Sequence, residues 1–129
     1  IALTAQTSFQ SGNAWATSIA WSGNSHYLVE KLFDGSQSIG AGELLLTCID
    51  HDGMRNGLEL EVSTRIAKLV NIPIICGGGC GLAKHFSDAF LLANVEAVCA
   101  GSFFAHRDQN LIQTRSQISN AGVMIRLQN

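Results

Sequence analysis

Hydrophobic residues fall along this chain in short runs broken by polar and glycine-rich stretches, and from Gly40 onward the runs alternate between two periods. The run Gly40-Ala41-Gly42-Glu43-Leu44-Leu45-Leu46-Thr47-Cys48-Ile49-Asp50-His51-Asp52-Gly53 is an apolar strand that stops abruptly at two carboxylates and a glycine. Such a run predicts a strand buried on both faces, as in a parallel sheet under helices. Two more strands end in the same manner. Residues 72–76 run into Gly77-Gly78-Gly79, and residues 95–100 run into Gly101-Ser102. Helical stripes separate them. Residues 58–70 form one, and residues 82–92 form a second with apolar positions 82, 86, 89, 90 and 92 on one face. A third helix covers roughly residues 111–120, with Gly122 suited to a left-handed cap beyond its end. Residues 123–127 read as a short extended tail.

The first forty residues are patterned less regularly. Residues 1–5 read as an opening strand, residues 14–21 as a second extended piece and residues 26–36 as a helix. Ser11-Gly12-Asn13 and Ser22-Gly23-Asn24-Ser25 carry loop chemistry. The chain thus uses a βα unit about four times. A full (β/α)8 barrel takes about 250 residues, and this chain has 129. The fold expected is α/β, half of a (β/α)8 TIM barrel with a parallel sheet. Residues 1–129 form a single half-barrel domain, with 1–39 a divergent opening strand and first helix and 40–129 the phosphate-binding part.

The strand ends carry the candidate chemistry. Backbone N–H groups at glycine turns and helix starts present partial positive charge to a phosphate, and glycine removes the Cβ that would block its approach. Gly78, Gly79, Gly101 and Ser102 are the phosphate-binding candidates, because in barrels a phosphate often sits after the last two strands at the start of a short extra helix. Tight strand-to-helix turns need glycine whatever binds there, so it is the recurrence on consecutive units that favours a ligand. Asp50 and Asp52 offer acid, base or hydrogen-bond acceptor chemistry, and equally the ordinary turn chemistry of Asp-Gly. His51 beside them reads as a solvated loop histidine, His85 as a surface residue, and His106, Arg107 and Asp108 as a solvated cluster at a helix start.

Composition narrows the partners. The chain is 47% hydrophobic with a formal net charge of -2, which gives no electrostatic reason to expect nucleic acid or an anionic membrane. No apolar run reaches membrane-span length, and the amino terminus lacks a charged-then-apolar signal, so a cytoplasmic location is expected. Cys48, Cys76, Cys80 and Cys99 read as buried free thiols. The Cys76-x-x-x-Cys80 spacing matches zinc ligation imperfectly, and no metal or cofactor site is expected. There is no Gly-x-Ser-x-Gly elbow, no P-loop lysine and no ribose-binding acid placed for a dinucleotide.

At residues 40–53 the run Gly-Ala-Gly-Glu-Leu-Leu-Leu-Thr-Cys-Ile-Asp-His-Asp-Gly closely resembles the cyclase subunit family of imidazole glycerol phosphate synthase in histidine biosynthesis. The resemblance continues through Asn56-Gly57, Ile72-Pro73-Ile74-Ile75, Gly78-Gly79-Cys80-Gly81, His85-Phe86, Ala89-Phe90, Ala100-Gly101-Ser102-Phe103-Phe104 and Gly122-Val123-Met124-Ile125-Arg126. It covers about residues 23–127 and concerns the carboxyl-terminal half of the family barrel. The family takes ammonia from a glutaminase partner and closes an imidazole ring on a bis-phosphorylated ribulosyl substrate. The resemblance implies one substrate phosphate at Gly78, Gly79, Gly101 and Ser102, and a substrate face at Thr47, Asp50, Asp52 and Gly53. Residues 107–115 resemble the family members found with surface-polysaccharide amidotransferases.

One departure bears on activity. The family uses a catalytic aspartate at the end of the first strand and another at the end of the fifth. The first-strand half is not in this sequence, and the fifth strand corresponds to the opening residues here. Thr4 or Gln6 falls near the expected position, no aspartate occurs before Asp34, and neither residue exchanges a proton near neutrality as a carboxylate does. No catalytic residue is therefore assigned. Three functional readings follow: a half barrel that keeps a sugar-phosphate site without independent catalysis, an active cyclase when completed by another half or partner chain, and a non-enzymatic interaction module. Open sheet edges lead to the expectation of a homodimer or higher even oligomer.

Overall fold

The computed structural model describes residues 3–11, 14–21, 41–105 and 110–125. The elements in chain order are β1 (Leu3–Ser11), β2 (Ala14–Trp21), β3 (Ala41–Cys48), α1 (Leu60–Ala67), β4 (Ile74–Gly77), α2 (Ala83–Leu92), β5 (Ala97–Val98), α3 (Ser102–Ala105) and α4 (Leu111–Asn120). They build one sheet in the order β1-β2-β3-β4-β5. The pairs β2–β3, β3–β4 and β4–β5 are parallel. The fold is α/β, part of a TIM-type barrel built from successive βα units. The helix expected over 26–36, the charged cluster at 106–108 and the end of the extended tail lie outside the described residues.

The sheet differs from expectation at its start. β1 does not lie beside β3; it pairs antiparallel with β2, which takes the place next to β3. Only two residues separate β1 from β2, and a parallel partner needs a crossover of a dozen or more. The opening strand is therefore an edge, and β5 is the opposite edge.

Burial alternates along the central strands, which corrects the expectation of strands buried on both faces. Leu44, Leu46 and Cys48 are buried while Leu45 and Thr47 are half-buried, and Ile74 and Cys76 are buried while Ile75 is half-buried. Register aligns like with like: Leu44 pairs with Ile74, Leu46 with Cys76, and Leu45 with Ile75. Successive side chains of a strand point to opposite faces, so helices packed over one face bury every second residue. The core joins Leu44, Leu46 and Ile74 to Val62 and Ile66 of α1, Phe86 and Ala89 of α2, Phe103 of α3 and Ile118 of α4.

Local chemistry sets the helix ends. The Glu59 carboxylate accepts from the N–H groups of Glu61 (3.2 Å) and Val62 (2.9 Å), capping α1. The Asn110 side chain accepts from Gln113 N–H at 2.7 Å and caps α4. Gly122, at φ +92°, follows that helix in the left-handed conformation expected of it. The face of α2 is shifted from the predicted one. Phe86, Ser87 and Ala89 are buried, whereas Leu82 and Leu92 are 50% and 64% exposed. Leu82 stands before the helix in an extended conformation, so it does not share the helical period.

Among the described residues, Phe103 is the largest fully buried side chain. Its ring meets Phe86 edge-on at 5.1 Å between centroids and Phe104 at 4.9 Å. Such pairs add to the area they bury. Phe103→Ala should cost about 3–5 kcal/mol in chemical denaturation, as truncation of a buried phenylalanine does. Leu92→Ala, at an exposed position, should stay within about 0.5 kcal/mol of the parent.

Candidate functional site

β3, β4 and β5 are parallel, so the turns that follow them emerge on one end of the sheet. That end carries every candidate residue. Thr47 is the penultimate residue of β3, and Asp50, Asp52 and Gly53 follow in the next turn. Gly78 and Gly79 follow β4, while Gly101 and Ser102 follow β5 and open α3.

The turn after β3 folds back on its own strand. The N–H groups of His51 and Asp52 donate to the Cys48 carbonyl at 3.2 and 3.0 Å, and Met54 N–H donates to the His51 carbonyl at 3.0 Å. This loop then docks on the turn after β4. Gly57 N–H donates to the Gly79 carbonyl at 2.9 Å. Gly78 and Gly79 both have positive φ, +84° and +97°, a conformation glycine adopts without steric cost. A Cβ on Gly78 would stand 3.1 Å from Thr47 Cγ2 and 3.5 Å from Asp52 Cβ. A Cβ on Gly79 would collide with the Gly57 carbonyl and with His51. The structure thus brings Thr47, Asp52, Gly78 and Gly79 together. Gly53 and Gly101 are different: a Cβ on either would meet nothing within 4 Å. Among the described residues, the N–H groups of Gly78, Gly79, Gly101 and Ser102 make no hydrogen bond.

Three residues of this end were not legible as participants. Cys99 is exposed, against the expectation of four buried thiols. Its Sγ would lie 2.5 Å from a Cβ on Gly77, whose other close neighbour is Thr47 Oγ1 at 3.7 Å. Partial burial of the sulfur raises the Cys99 pKa, and the negative charge of Asp52 raises it further. His51 is half-buried rather than solvated, with Nδ1 3.0 Å from the Gly57 carbonyl. His85 is half-buried too, and its Nδ1 accepts from the N–H groups of Gly81 (3.1 Å) and Leu82 (3.3 Å) at the start of α2. The residue before α2 offers no side-chain oxygen to cap the helix, which is the only sequence signal that another acceptor was needed.

Among the described residues no group of three His, Cys, Asp or Glu side chains converges on a common point for a metal. An apolar cavity of about 210 Å³ lies elsewhere, between α2, β5 and α4, lined by Phe86, Phe90, Val98, Phe104, Leu111 and Ile118 among others. It contains none of the strand-end residues.

A parallel sheet with helices over one face, and glycine turns and carboxylates gathered at the strands' carboxyl ends, defines an α/β-barrel-type protein with its polar site at that end. A family model described as Histidine biosynthesis protein matches residues 7–110, and the chain belongs to that family. It is 52% identical over 91 residues to a Prochlorococcus marinus (strain MIT 9313) protein named "Putative imidazole glycerol phosphate synthase subunit hisF2", covering 70% of this chain and 34% of that protein. It is 41% identical over 99 residues to imidazole glycerol phosphate synthase subunit HisF of Flavobacterium psychrophilum, covering 74% of this chain and 39% of that protein. The chain therefore spans little more than a third of the curated relatives it matches. A solved structure, that of the Amycolatopsis orientalis BexX/CysO complex, aligns with a TM-score of 0.57 at 14% identity, covering 77% of this chain and 44% of that one. This likeness concerns the fold alone. No helix among the described residues is long and apolar enough to cross a membrane.

Two outcomes test the thiol arrangement. In the native state an alkylating reagent should modify Cys99 first, and Cys48, Cys76 and Cys80 only on unfolding, as read by mass spectrometry of peptides. Burial also pushes the Cys76 thiol up to about 11 and the Cys80 thiol up to about 12, from 9.0. Above pH 9 the unfolded chain loses these protons while the folded chain keeps them, so stability falls with rising pH until the folded values are passed. Melting temperatures should decline between pH 9 and pH 11, and Cys80→Ala should flatten that decline.

Proposed function

We propose that this chain supplies the phosphate-holding, carboxyl-terminal half of a cyclase-type barrel, and that it has no turnover on its own. The observation that carries the reading is the pair of glycine turns on consecutive strands, with backbone N–H groups unclaimed at Gly78, Gly79, Gly101 and Ser102. Backbone donors at such turns suit a dianionic phosphoryl group, since they offer directed partial charge without a competing counter-ion. The substrate class is a phosphorylated sugar, in keeping with relatives named for imidazole glycerol phosphate. Thr47, Asp50, Asp52 and Gly53 form the face that the rest of such a substrate would meet. The absence of turnover is supported by the opening strands: neither β1 nor β2 contains an aspartate or glutamate to serve as the carboxylate that the family resemblance implies.

A second reading is favoured by the intact Asp50-His51-Asp52-Gly53 strand end. Completed by a complementary half that brings its own catalytic carboxylate, and fed with ammonia by a glutaminase subunit, the same face would take part in ring closure in histidine or surface-polysaccharide biosynthesis. Either completion uses the same surfaces. β1 and β5 are open sheet edges, and Leu45 and Ile75 are half-buried on the face away from the helices. A second copy of the chain, giving an even oligomer, or a separate half barrel would cover both.

Gly101 provides the cleanest test, because a Cβ there would meet nothing within 4 Å and a side chain at this turn would stand in the proposed cradle. Calorimetry with inorganic phosphate and ribose 5-phosphate should show saturable binding by the parent chain and at least tenfold weaker binding by Gly101→Val, with unchanged melting. No heat with the parent would dispose of the phosphate site. Sustained turnover of the family's substrate with ammonia by the purified chain alone would restore the enzyme reading. Light scattering at micromolar concentration should give an even multiple of the chain mass, and a monomer would rule out self-closure.

A further inference from the structure

Three backbone segments meet at Gly57. Its N–H donates to the Gly79 carbonyl at 2.9 Å, and its carbonyl lies 3.0 Å from His51 Nδ1. A carbonyl oxygen only accepts, so Nδ1 of His51 carries the proton. On the other side, a Cβ on Gly57 would stand 4.0 Å from His85 Nε2. His85 Nδ1 accepts two backbone N–H groups, from Gly81 and Leu82, so this nitrogen carries a lone pair and the proton sits on Nε2. The two imidazoles therefore hold opposite tautomers around one glycine. Arg55, two residues earlier, has φ +58°, unusual for a residue with a side chain. Its carbonyl and Cβ occupy the space that a side chain on Gly81 would need. A backbone kept in a sparsely populated conformation persists only where its surroundings over-determine it.

We propose that His51 is a positioning residue, the donor half of a clasp completed by His85. The clasp locks the loop bearing Asp50 and Asp52 to the turn bearing Gly78 and Gly79. The clasp makes the two loops one mechanical unit: the loop cannot lift without releasing Gly79, and Gly79 cannot shift without meeting His51. Its consequence for ligand rests on the phosphate reading given above. A phosphoryl group held by the glycine turn also fixes where the Asp52 carboxylate stands, although His51 touches no ligand itself.

The tautomers provide the first test and need no variant. Nitrogen-15 spectra of the imidazoles in the parent chain should show His51 protonated at Nδ1 and His85 at Nε2 near pH 8; the reverse pattern at either ring overturns the clasp. Amide hydrogen exchange provides the second. His51→Ala should speed exchange about five- to tenfold in residues 50–57 and also in 77–82, as loss of one hydrogen bond of roughly ordinary strength implies. His51→Asn, whose side-chain amide places a donor close to the Nδ1 position, should restore both segments. Acceleration confined to 50–57, or no rescue by Asn, overturns the coupling. Inorganic phosphate affinity separates this inference from the reading beneath it. A parent chain that does not bind phosphate removes the site but leaves the exchange result to judge the clasp. A parent that binds and a His51→Ala variant that binds equally well overturn the link between clasp and ligand.

Discussion

Backbone meets backbone at Gly79 and Gly81, and the strand-end face of this protein depends on that approach. Gly79 has no room for a Cβ beside the Gly57 carbonyl and His51, and Gly81 has none beside Arg55. Van der Waals exclusion of this kind is not negotiable by rotamer change, because the opposing atoms are main-chain. Two glycines thus allow the turn after β4 to nest against the turn after β3. Without that nesting, the carboxylates after β3 and the open N–H groups after β4 would belong to separate loops.

Everything beneath this face serves to hold the two strands in register. Leu44 and Leu46 pair with Ile74 and Cys76, and the same four side chains form the floor on which α1 and α2 rest. The register that aligns apolar rows also aligns Thr47 with Gly77, so core packing and site geometry are set by one pairing. A slip of one residue would turn the buried row outward and separate Thr47 from the glycine turn. The buried Ser63 and Thr114 hydroxyls are satisfied within their own helices. Ser63 donates to the Glu59 carbonyl at 2.8 Å and lies 3.4 Å from Cys76 Sγ, and the Thr114 hydroxyl donates to the Asn110 carbonyl at 3.0 Å.

Family membership and local geometry speak to different parts of the question. The family match covers residues 7–110, a range that includes the polar strand ends after β3, β4 and β5. Gly79 and Gly101 stand in different surroundings. A Cβ on Gly79 would meet the Gly57 carbonyl and His51, whereas a Cβ on Gly101 would meet nothing within 4 Å. Burial raises the Cys99 pKa after β5, and the negative charge of Asp52 after β3 raises it further.

Hydrophobic period and turn chemistry sufficed to read β3, β4, α1, α2 and α4 from the amino-acid sequence, along with the gathering of glycines and acids at one end of a parallel sheet. Those features are local, or follow from rules of βα connection that hold whatever the side chains around them. The sequence also carried enough shared motif to place the family. It did not reveal that β2 rather than β1 adjoins β3, since two extended segments in a row leave strand order to long-range pairing. Nor did it show that Leu82 and Leu92 leave the α2 face or that the Cys99 residue is exposed. The roles of His51 and His85 were equally hidden. A histidine in a loop looks the same in sequence whether water or a carbonyl six residues away satisfies its ring. Only the tertiary structure decides which, because the partner of a polar side chain is chosen by where folded backbone leaves a donor or acceptor unmet.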